Sequence, residues 1–375
     1  MVELIIFATG ISGSGRLEYL REVAELADGK LEIKDIGSLM FEKSKHLGIR
    51  IPEGKILDLD PFALNYLRAA IFEEILKERD EYKGYGEGDP DLVISTHTCF
   101  RWKKHLMPAF NFYYLNELNP DVYVTIVDNA QNIRARLERR PHWRGRLTLK
   151  DILIWRDEEV FITEMLAQYQ NKPHYVVARG EGPELLYDLI YRVEKRKMRG
   201  EKPALKVYLS YPITHVRADL LAQKDDVKRR LREAGIVVFD PIKINEVELV
   251  GYAEEAKKRG ESEVRISVDG VEARIPVEEV EEARDDMVDQ VVVRDYKLIE
   301  QADAIVVFYP VTTLSPGVLS EINYGFTHNK DVFTIFPHES TSPFFEYYTT
   351  RIFKSVDELL EYLAEMGRIE NPLRQ

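Results

Sequence analysis

Residues 4–16 read LIIFATGISGSGR, an apolar run followed by a loop with three glycines and a basic residue. The apolar run has the length of a buried strand, and the residues after the loop have the pattern of a helix. Between them, GISGSGR has the GxxxxG spacing of a phosphate-binding loop in its required context. The sequence therefore predicts a strand, an anion-binding loop and a helix at the start of an α/β fold.

Two positions of this loop depart from the usual motif. Arg16 stands where a lysine is usual, and Leu17 replaces the hydroxyl that reaches magnesium. Backbone NH groups and a guanidinium can still hold a nucleotide such as ATP, whereas the need for magnesium stays open. The alternative is that the glycines only permit a tight turn. The residues expected to bind the nucleotide are Gly10, Ser12, Gly13, Ser14, Gly15 and Arg16.

Composition limits the class of protein. The chain of 375 residues has room for two cores, and 45% hydrophobic with 31% charged residues is typical of a globular protein. Its apolar runs are too short for a bilayer, so we expect a cytoplasmic protein. One cysteine makes disulfide and zinc chemistry improbable, and a net charge of -13 disfavours nucleic-acid binding. The Glu, Lys and Arg content is typical of a thermophile.

Strand-like and helix-like runs alternate along the chain, which predicts two α/β domains, each with a mainly parallel sheet flanked by helices. We place a kinase-like domain at 1–199 and a Rossmann or flavodoxin-like domain at 200–375. A charged insert, 246–290, interrupts the second domain; its Asp269-Gly270 pair predicts a two-residue hairpin turn. We expect this insert to form an exposed arm or a dimer contact. The predicted strands are LIIFAT, DLVIST, VYVTIVD, HYVVAR, KVYLSYP, GIVVFDP, DAIVVFYP and DVFTIFP.

Two stretches of the first half, DLVISTHTCFRWKKHLMPAF at 91–110 and LNELNPDVYVTIVDNAQNIRARLERR at 115–140, resemble archaeal-type adenylate kinases and related P-loop nucleoside monophosphate kinases. The resemblance covers most of residues 1–195. It implies that Thr96, His97 and Arg101 lie near a bound monophosphate. It also implies lid arginines, for which a solvated helix face is the alternative: Arg134, Arg136, Arg139 and Arg140.

In the second half, residues 294–330 read RDYKLIEQADAIVVFYPVTTLSPGVLSEINYGFTHNK, which predicts a helix, a buried strand, a loop and a second helix. Ligands of open parallel sheets bind at the carboxyl ends of strands, so this loop is the expected site. Ser315 and the NH groups near Gly317 form a phosphate cradle. We expect the helix dipole to keep Glu321 ionised as a nucleophile, with Asp295 as its partner. The alternative is that Glu321 merely complements the dipole.

Residues 204–375 resemble the nucleoside 2-deoxyribosyltransferase superfamily, and within it the 2'-deoxynucleoside 5'-phosphate N-hydrolases. The resemblance implies a glycosidase that needs no metal or cofactor, and a homo-oligomer such as a dimer. It also implies roles for individual residues: Glu321 as nucleophile, Asp295 as acid or sugar-binding partner, Tyr208 orienting Glu321, Ser315, Gly317 and Arg217 at the 5'-phosphate, and Ile213 in the substrate site.

Three functions remain open from the sequence. The first is an N-glycosidase or deoxyribosyltransferase that cleaves the C–N bond of a small-molecule nucleotide substrate. The second is an unusual nucleoside monophosphate kinase, or another ATP-binding phosphotransferase, with a nucleotide-sensing second domain. The third is a nucleotide sensor without either activity.

Overall fold

A computed structural model of the chain describes residues 4–52, 55–82, 90–102, 105–213, 218–339 and 342–370. Arg217, expected at the 5'-phosphate, lies outside these residues. The strands are β1 (Ile5–Thr9), β2 (Leu31–Asp35), β3 (Asp91–Ser95), β4 (Cys99–Trp102), β5 (His105–Pro108), β6 (Val122–Val127), β7 (His174–Ala178), β8 (Lys206–Ser210), β9 (Val237–Phe239), β10 (Glu263–Val268), β11 (Val271–Pro276), β12 (Ala304–Phe308), β13 (Asp331–Ile335) and β14 (Arg351–Phe353).

The helices connect these strands. They are α1 (Arg16–Leu26), α2 (Ile36–His46), α3 (Pro61–Tyr82), α4 (Phe112–Leu118), α5 (Ala130–Glu138), α6 (Leu149–Tyr169), α7 (Glu184–Asp188), α8 (Lys195–Met198), α9 (Ala218–Glu233), α10 (Val247–Lys258), α11 (Val277–Glu282), α12 (Arg284–Gln301), α13 (Pro316–Thr327), α14 (Pro343–Tyr347) and α15 (Val356–Glu365). Short 3-10 turns occur at Ile56–Asp58 and Pro241–Lys243, and a π-helical turn at Leu189–Glu194.

The first sheet is parallel throughout, in the order β2-β3-β1-β6-β7. Every residue of β1, β3 and β6 is buried, as expected for central strands covered by helices on both faces. Ala8 of β1 pairs with Ser95 of β3, which pairs in turn with Asp35 of β2. The carboxyl ends of three strands therefore meet where the glycine-rich loop begins.

The second sheet is also parallel, in the order β14-β13-β12-β8-β9. Counted within this sheet the order is 2-1-3-4-5, that of flavodoxin-like folds, whose ligands bind beside the first and third strands. Here those strands are β8 and β12. The predicted α/β class with two parallel sheets is confirmed, although β2 and β14 were not among the predicted strands.

The chain divides into two compact units. The first comprises residues 1–184 and 244–289, and the second comprises 185–243 and 290–375. The division after residue 184 differs from the expected boundary at 199. The insert, which the sequence analysis assigned to the second domain, belongs to the first unit.

Apolar burial explains why the insert belongs to the first unit. Leu249, Val264 and Ile275 of the insert are buried in one hydrophobic cluster with Ile133 and Leu149. A segment that buries these apolar side chains is not an exposed arm, whereas the dimer contact stays a prediction. The predicted hairpin is confirmed, because β10 and β11 pair antiparallel around a two-residue turn.

A buried ion pair also fixes the insert. Arg156 of α6 and Glu246 pair with almost no solvent exposure. Arg156 Nη1 donates to the carbonyl of Asp128 at 2.9 Å, and Glu246 accepts from the backbone NH of Ala130 at 3.1 Å. Both charges are thus neutralised and hydrogen-bonded inside the first unit.

Among the described helices, none combines the length and the apolar composition that crossing a bilayer requires.

Removing one partner of a buried ion pair leaves an uncompensated charge. We expect Glu246→Ala to lower the free energy of unfolding of the first unit by about 3–5 kcal/mol, measured by chemical denaturation. The control is Glu248→Ala, at an exposed position two residues further on. Equal stability of the two variants would refute the anchoring role of Glu246.

Candidate functional site

The glycine-rich loop has the backbone that only glycine adopts easily. Gly15 precedes α1 with φ of 76°, and Gly10 has φ of 151°. A Cβ at Gly10 would lie 2.5 Å from the carbonyl oxygen of Ile126, and one at Gly15 would lie 2.9 Å from Nε of Arg179. A side chain at Gly10 would thus collide with the backbone of Ile126, and the positive φ of Gly15 disfavours any residue other than glycine.

A buried carboxylate binds the backbone of the loop by a hydrogen bond. Glu159 of α6 accepts hydrogen bonds from the backbone NH groups of Gly10, Thr98 and Cys99, at 3.2, 2.9 and 3.0 Å. Burial raises the pKa of this carboxyl, and the two backbone donors after β3 oppose that shift. Glu159 thus ties the glycine-rich loop to the segment that follows β3.

Arg16, the first residue of α1, contacts both the glycine-rich loop and the end of β3. Its Nη1 donates to the carbonyl of Gly10 at 2.6 Å, and its Nε donates to Ser95 Oγ at 3.0 Å. Nη2 lies 3.8 Å from Asp35 Oδ1, too far for a hydrogen bond. Desolvation lowers the pKa of Arg16, and the charges of Asp35 and Glu159 oppose the shift. An arginine nevertheless stays protonated in proteins.

One cavity of about 580 Å³ adjoins the loop. It is within the size range of small-ligand sites. Its polar and charged lining includes Ser12, Ser14, Arg16, Glu18, Asp35, Ser38, Arg68, Thr96, His97, Arg139, Arg140 and His142. Its apolar lining includes Ile36, Met40, Phe41, Leu57, Phe100 and Trp143.

Two basic groups on the wall of this cavity have lowered pKa values. Desolvation lowers the pKa of Arg68 to about 10, and no carboxylate within the described residues forms an ion pair with it. Burial, and then the charges of Arg16, Arg68 and Arg140, hold the pKa of His97 well below its usual range, so this imidazole is neutral. A buried arginine without an acidic partner indicates a site for an anion.

The arginine expected near a bound monophosphate, Arg101, does not face the cavity. Instead, its guanidinium forms a bidentate pair with Glu158 at 2.6 and 2.7 Å. Arg68, which the sequence analysis did not single out, faces the cavity in its place. Its only sequence signal was a basic residue within the otherwise apolar stretch LRAAIF.

The α5 arginines lie between the loop and the hairpin of the insert. Arg136 donates to the carbonyl of Gly13 at 3.0 Å and pairs with Asp128 at 2.6 Å and Asp269 at 2.9 Å. Arg134 pairs with Glu279 at 3.0 Å. These two guanidinium groups are neutralised within the first unit, so the solvated-face alternative does not describe them.

Magnesium, which P-loop kinases use, does not fit the residues at this loop. The hydroxyl and the acidic side chain that hold it in such proteins would have to come from positions 17 and 95, where Leu17 and Ser95 stand. Asp35 already accepts hydrogen bonds from Ser95 Oγ at 2.9 Å and from Ser38. Within the described ranges, no three His, Cys, Asp or Glu side chains form a metal site.

In the second unit, Glu321 lies inside a hydrogen-bonded cluster. Its carboxylate accepts from Tyr208 Oη at 2.8 Å and from Ser210 Oγ at 2.5 Å. Tyr208 and Ser210 lie two residues apart on β8, so both side chains point to one face of the sheet. Tyr208 is therefore where the sequence analysis expected it, whereas Ser210 was missed.

Burial controls the ionisation of this cluster. Burial, and then the charge of Asp295, raise the pKa of Glu321 to about 8, although the two hydroxyl donors lower it. The expectation that the helix dipole keeps Glu321 ionised was wrong. α13 begins at Pro316, so Glu321 lies in its second turn, where the dipole effect has faded. Burial also raises the pKa of Asp295 to about 6.

The remaining predicted residues of this unit differ in their surroundings. Asp295 is partly buried, and its Oδ1 is inaccessible to solvent and has no hydrogen-bond partner among the described residues. Ser315 precedes α13, and its NH donates to Tyr309 Oη at 2.8 Å. Open space surrounds the position of a Cβ at Gly317. Ile213 is partly buried and packs against the hydrophobic core of this unit, and its place in a substrate site stays a prediction.

Comparisons with known proteins concern the first unit. Residues 9–152, less than half of the chain, match a family model described as "AAA domain". The adenylate kinase of Methanococcus vannielii is 23% identical over 135 residues, covering 35% of this chain and 66% of that protein. The adenylate kinase of Methanocaldococcus jannaschii is 23% identical over 171 residues, covering 44% and 83%. That of Methanopyrus kandleri is 25% identical over 132 residues, covering 35% and 65%.

The chain thus spans just under two thirds of the first and third of these relatives. Among solved structures, a sugar kinase from Janibacter sp. HTCC2649 shares 16% identity, with a TM-score of 0.29 over 50% of this chain and 92% of that one. So low a score adds no argument. The family match and the relatives together identify the N-terminal part of the chain as a P-loop kinase-like nucleotide-binding domain with distant adenylate kinase relatives.

Proposed function

We propose that the protein is an unusual phosphotransferase of the nucleoside monophosphate kinase type. The observation that carries the proposal is a shared cavity. The glycine-rich loop lines one part of it, and Arg68, Thr96 and His97 line another. A donor nucleotide on the loop and a monophosphate near Arg68 would therefore meet in one cavity. The adenylate kinase relatives support this function over the glycosidase function.

The reaction moves one phosphoryl group. The bond between the bridging oxygen and the γ-phosphorus of ATP breaks, and an oxygen of the acceptor monophosphate forms a new bond to that phosphorus. ADP and a nucleoside diphosphate leave. Catalysis of this step depends mainly on positioning and on neutralising charge. The loop NH groups would hold the donor, Arg68 the acceptor, and Arg16 with Arg140 the charge that develops between them.

We expect Arg16→Ala and Arg68→Ala each to reduce ADP formation from ATP and a nucleoside monophosphate by about 10³-fold, the magnitude of a lost transition-state arginine. Product would be measured by chromatography over a panel of monophosphates. The control is Arg21→Ala, on the exposed face of α1. If both variants keep the full rate of ADP formation, the reaction does not take place at this site. If the unaltered protein shows no turnover with any acceptor, the proposed function is excluded.

A second activity is favoured by the cluster around Glu321. We propose that the second unit cleaves the C–N glycosidic bond of a (deoxy)nucleoside 5'-phosphate. The Glu321 carboxylate attacks the anomeric carbon, the C–N electron pair leaves with the base, and a proton from the Asp295 carboxyl neutralises the base. Water, or another base, then releases the sugar from Glu321. The supporting observation is that this carboxylate is hydrogen-bonded to Ser210, the last residue of β8, and ligands of such sheets bind at the carboxyl ends of the first and third strands.

Base release should be bell-shaped in pH, with its maximum between about 6 and about 8, because it needs ionised Glu321 together with protonated Asp295. We expect Glu321→Gln to abolish the release of free base from nucleoside monophosphates. Glu361→Gln, at an exposed position of α15, should leave it unchanged. The measurement is chromatography of the base, and release that survives in Glu321→Gln would contradict this mechanism.

The same raised pKa predicts how stability depends on pH. The folded state favours protonated Glu321. Its contribution to the free energy of unfolding is therefore complete below pH 4.5 and is lost as pH rises towards 8. Glutamine does not titrate. The difference in melting temperature, Glu321→Gln minus the unaltered protein, should therefore increase as pH rises from 4.5 to 8. If the melting temperatures of the two proteins change with pH by the same amount, the pKa of Glu321 is not raised.

A further inference from the structure

The guanidinium of Arg16 bridges two ends of the first unit's site. It contacts the first residue of the glycine-rich loop, at the carbonyl of Gly10, and the last residue of β3, at Ser95 Oγ. These are the loop and the neighbouring strand end that together surround a metal ion in P-loop enzymes. A protonated side chain therefore lies between the two elements from which metal ligands would come.

The surroundings of Arg16 supply few ligands for a metal ion. Leu17 and Ser95 are neutral. The Asp35 carboxylate already accepts hydrogen bonds from Ser95 and Ser38, and the Glu159 carboxylate accepts from the backbone NH groups of Gly10, Thr98 and Cys99. The arrangement thus favours one fixed guanidinium over an exchangeable ion.

Donors for a phosphate chain nevertheless remain. Ser14 Oγ is fully buried, lines the cavity and has no hydrogen-bond partner within the described residues. Nη2 of Arg16 makes no hydrogen bond in that part of the chain either. Around them the described cavity wall carries four arginines against two carboxylates, Glu18 and Asp35. An anion that enters the cavity therefore meets unsatisfied donors and an excess of positive charge.

We propose that Arg16 takes the place of a divalent cation, so that the first unit binds the di- or triphosphate of a nucleotide in its metal-free form. The proposal rests on the proposed nucleotide binding and specifies its chemistry. A guanidinium presents its donors in a planar fork that matches two phosphate oxygens. It can thus neutralise and orient the phosphate chain from one side while the loop NH groups hold the other.

Calorimetric titration of the full chain with ADP, and separately with ATP, tests this proposal. Each nucleotide is titrated once with EDTA and once with excess Mg²⁺. We expect the affinity to be equal within about twofold, or tighter in EDTA, because no chelated metal is needed. Binding that is about tenfold or more tighter with Mg²⁺ would overturn the inference and leave nucleotide binding intact. Absence of binding under both conditions would overturn the proposed phosphotransferase as well.

A variant with the usual loop sequence provides the converse test. Arg16→Lys combined with Leu17→Thr restores the lysine and the hydroxyl of the common motif. We expect this variant to bind ADP about 10- to 100-fold more tightly with Mg²⁺ than with EDTA, the effect of gaining charge-assisted contacts. Its control is Arg21→Lys with Leu26→Thr, two exposed positions of α1. A restored loop with no response to Mg²⁺ would overturn the inference, and if that variant does not fold, the titrations of the unaltered protein decide.

Discussion

Glu159 is fully buried next to the glycine-rich loop, and its hydrogen bonds join the loop to the segment after β3. Its carboxylate accepts from the loop at Gly10 and from Thr98 and Cys99 after β3. Because a buried carboxylate is costly without such donors, the geometry of the loop and that of the β3 end are fixed together. His97, between these donors and the cavity, is positioned by the same constraint. The geometry of the glycine-rich loop therefore depends on α6, an element that carries none of the residues of the motif.

The central strands could be predicted from the sequence, whereas the edge strands could not. β1, β3, β6 and β12 are continuous apolar runs because helices cover both of their faces. β2 is an edge strand that reads LEIKD, and its alternating charges resemble a loop or helix. The insert was assigned wrongly for a related reason. Its charge suggested an exposed arm, but its apolar residues recur at spacings that bury them, and only the fold shows what they pack against.

The two sites differ in how far sequence reasoning reached. Motif spacing located Arg16 and Glu321, because each follows a strand end by a fixed number of residues. Arg68 lies in α3, far from any motif, and only tertiary packing brings it to the cavity. The ionisation of Glu321 could not be predicted either, since the helix dipole is a local effect and burial is a global one. Where the two compete, burial decides the protonation state.

The hairpin tip of the insert also affects the loop. Arg136 is shared between the carbonyl of Gly13, Asp128 and Asp269 at the turn. Asp269 and the backbone of Gly13 are therefore joined through one guanidinium, so the loss of the Asp269 carboxylate would remove one of the groups that hold Arg136 against the loop. The insert thus helps to position the glycine-rich loop, although the two lie far apart along the chain.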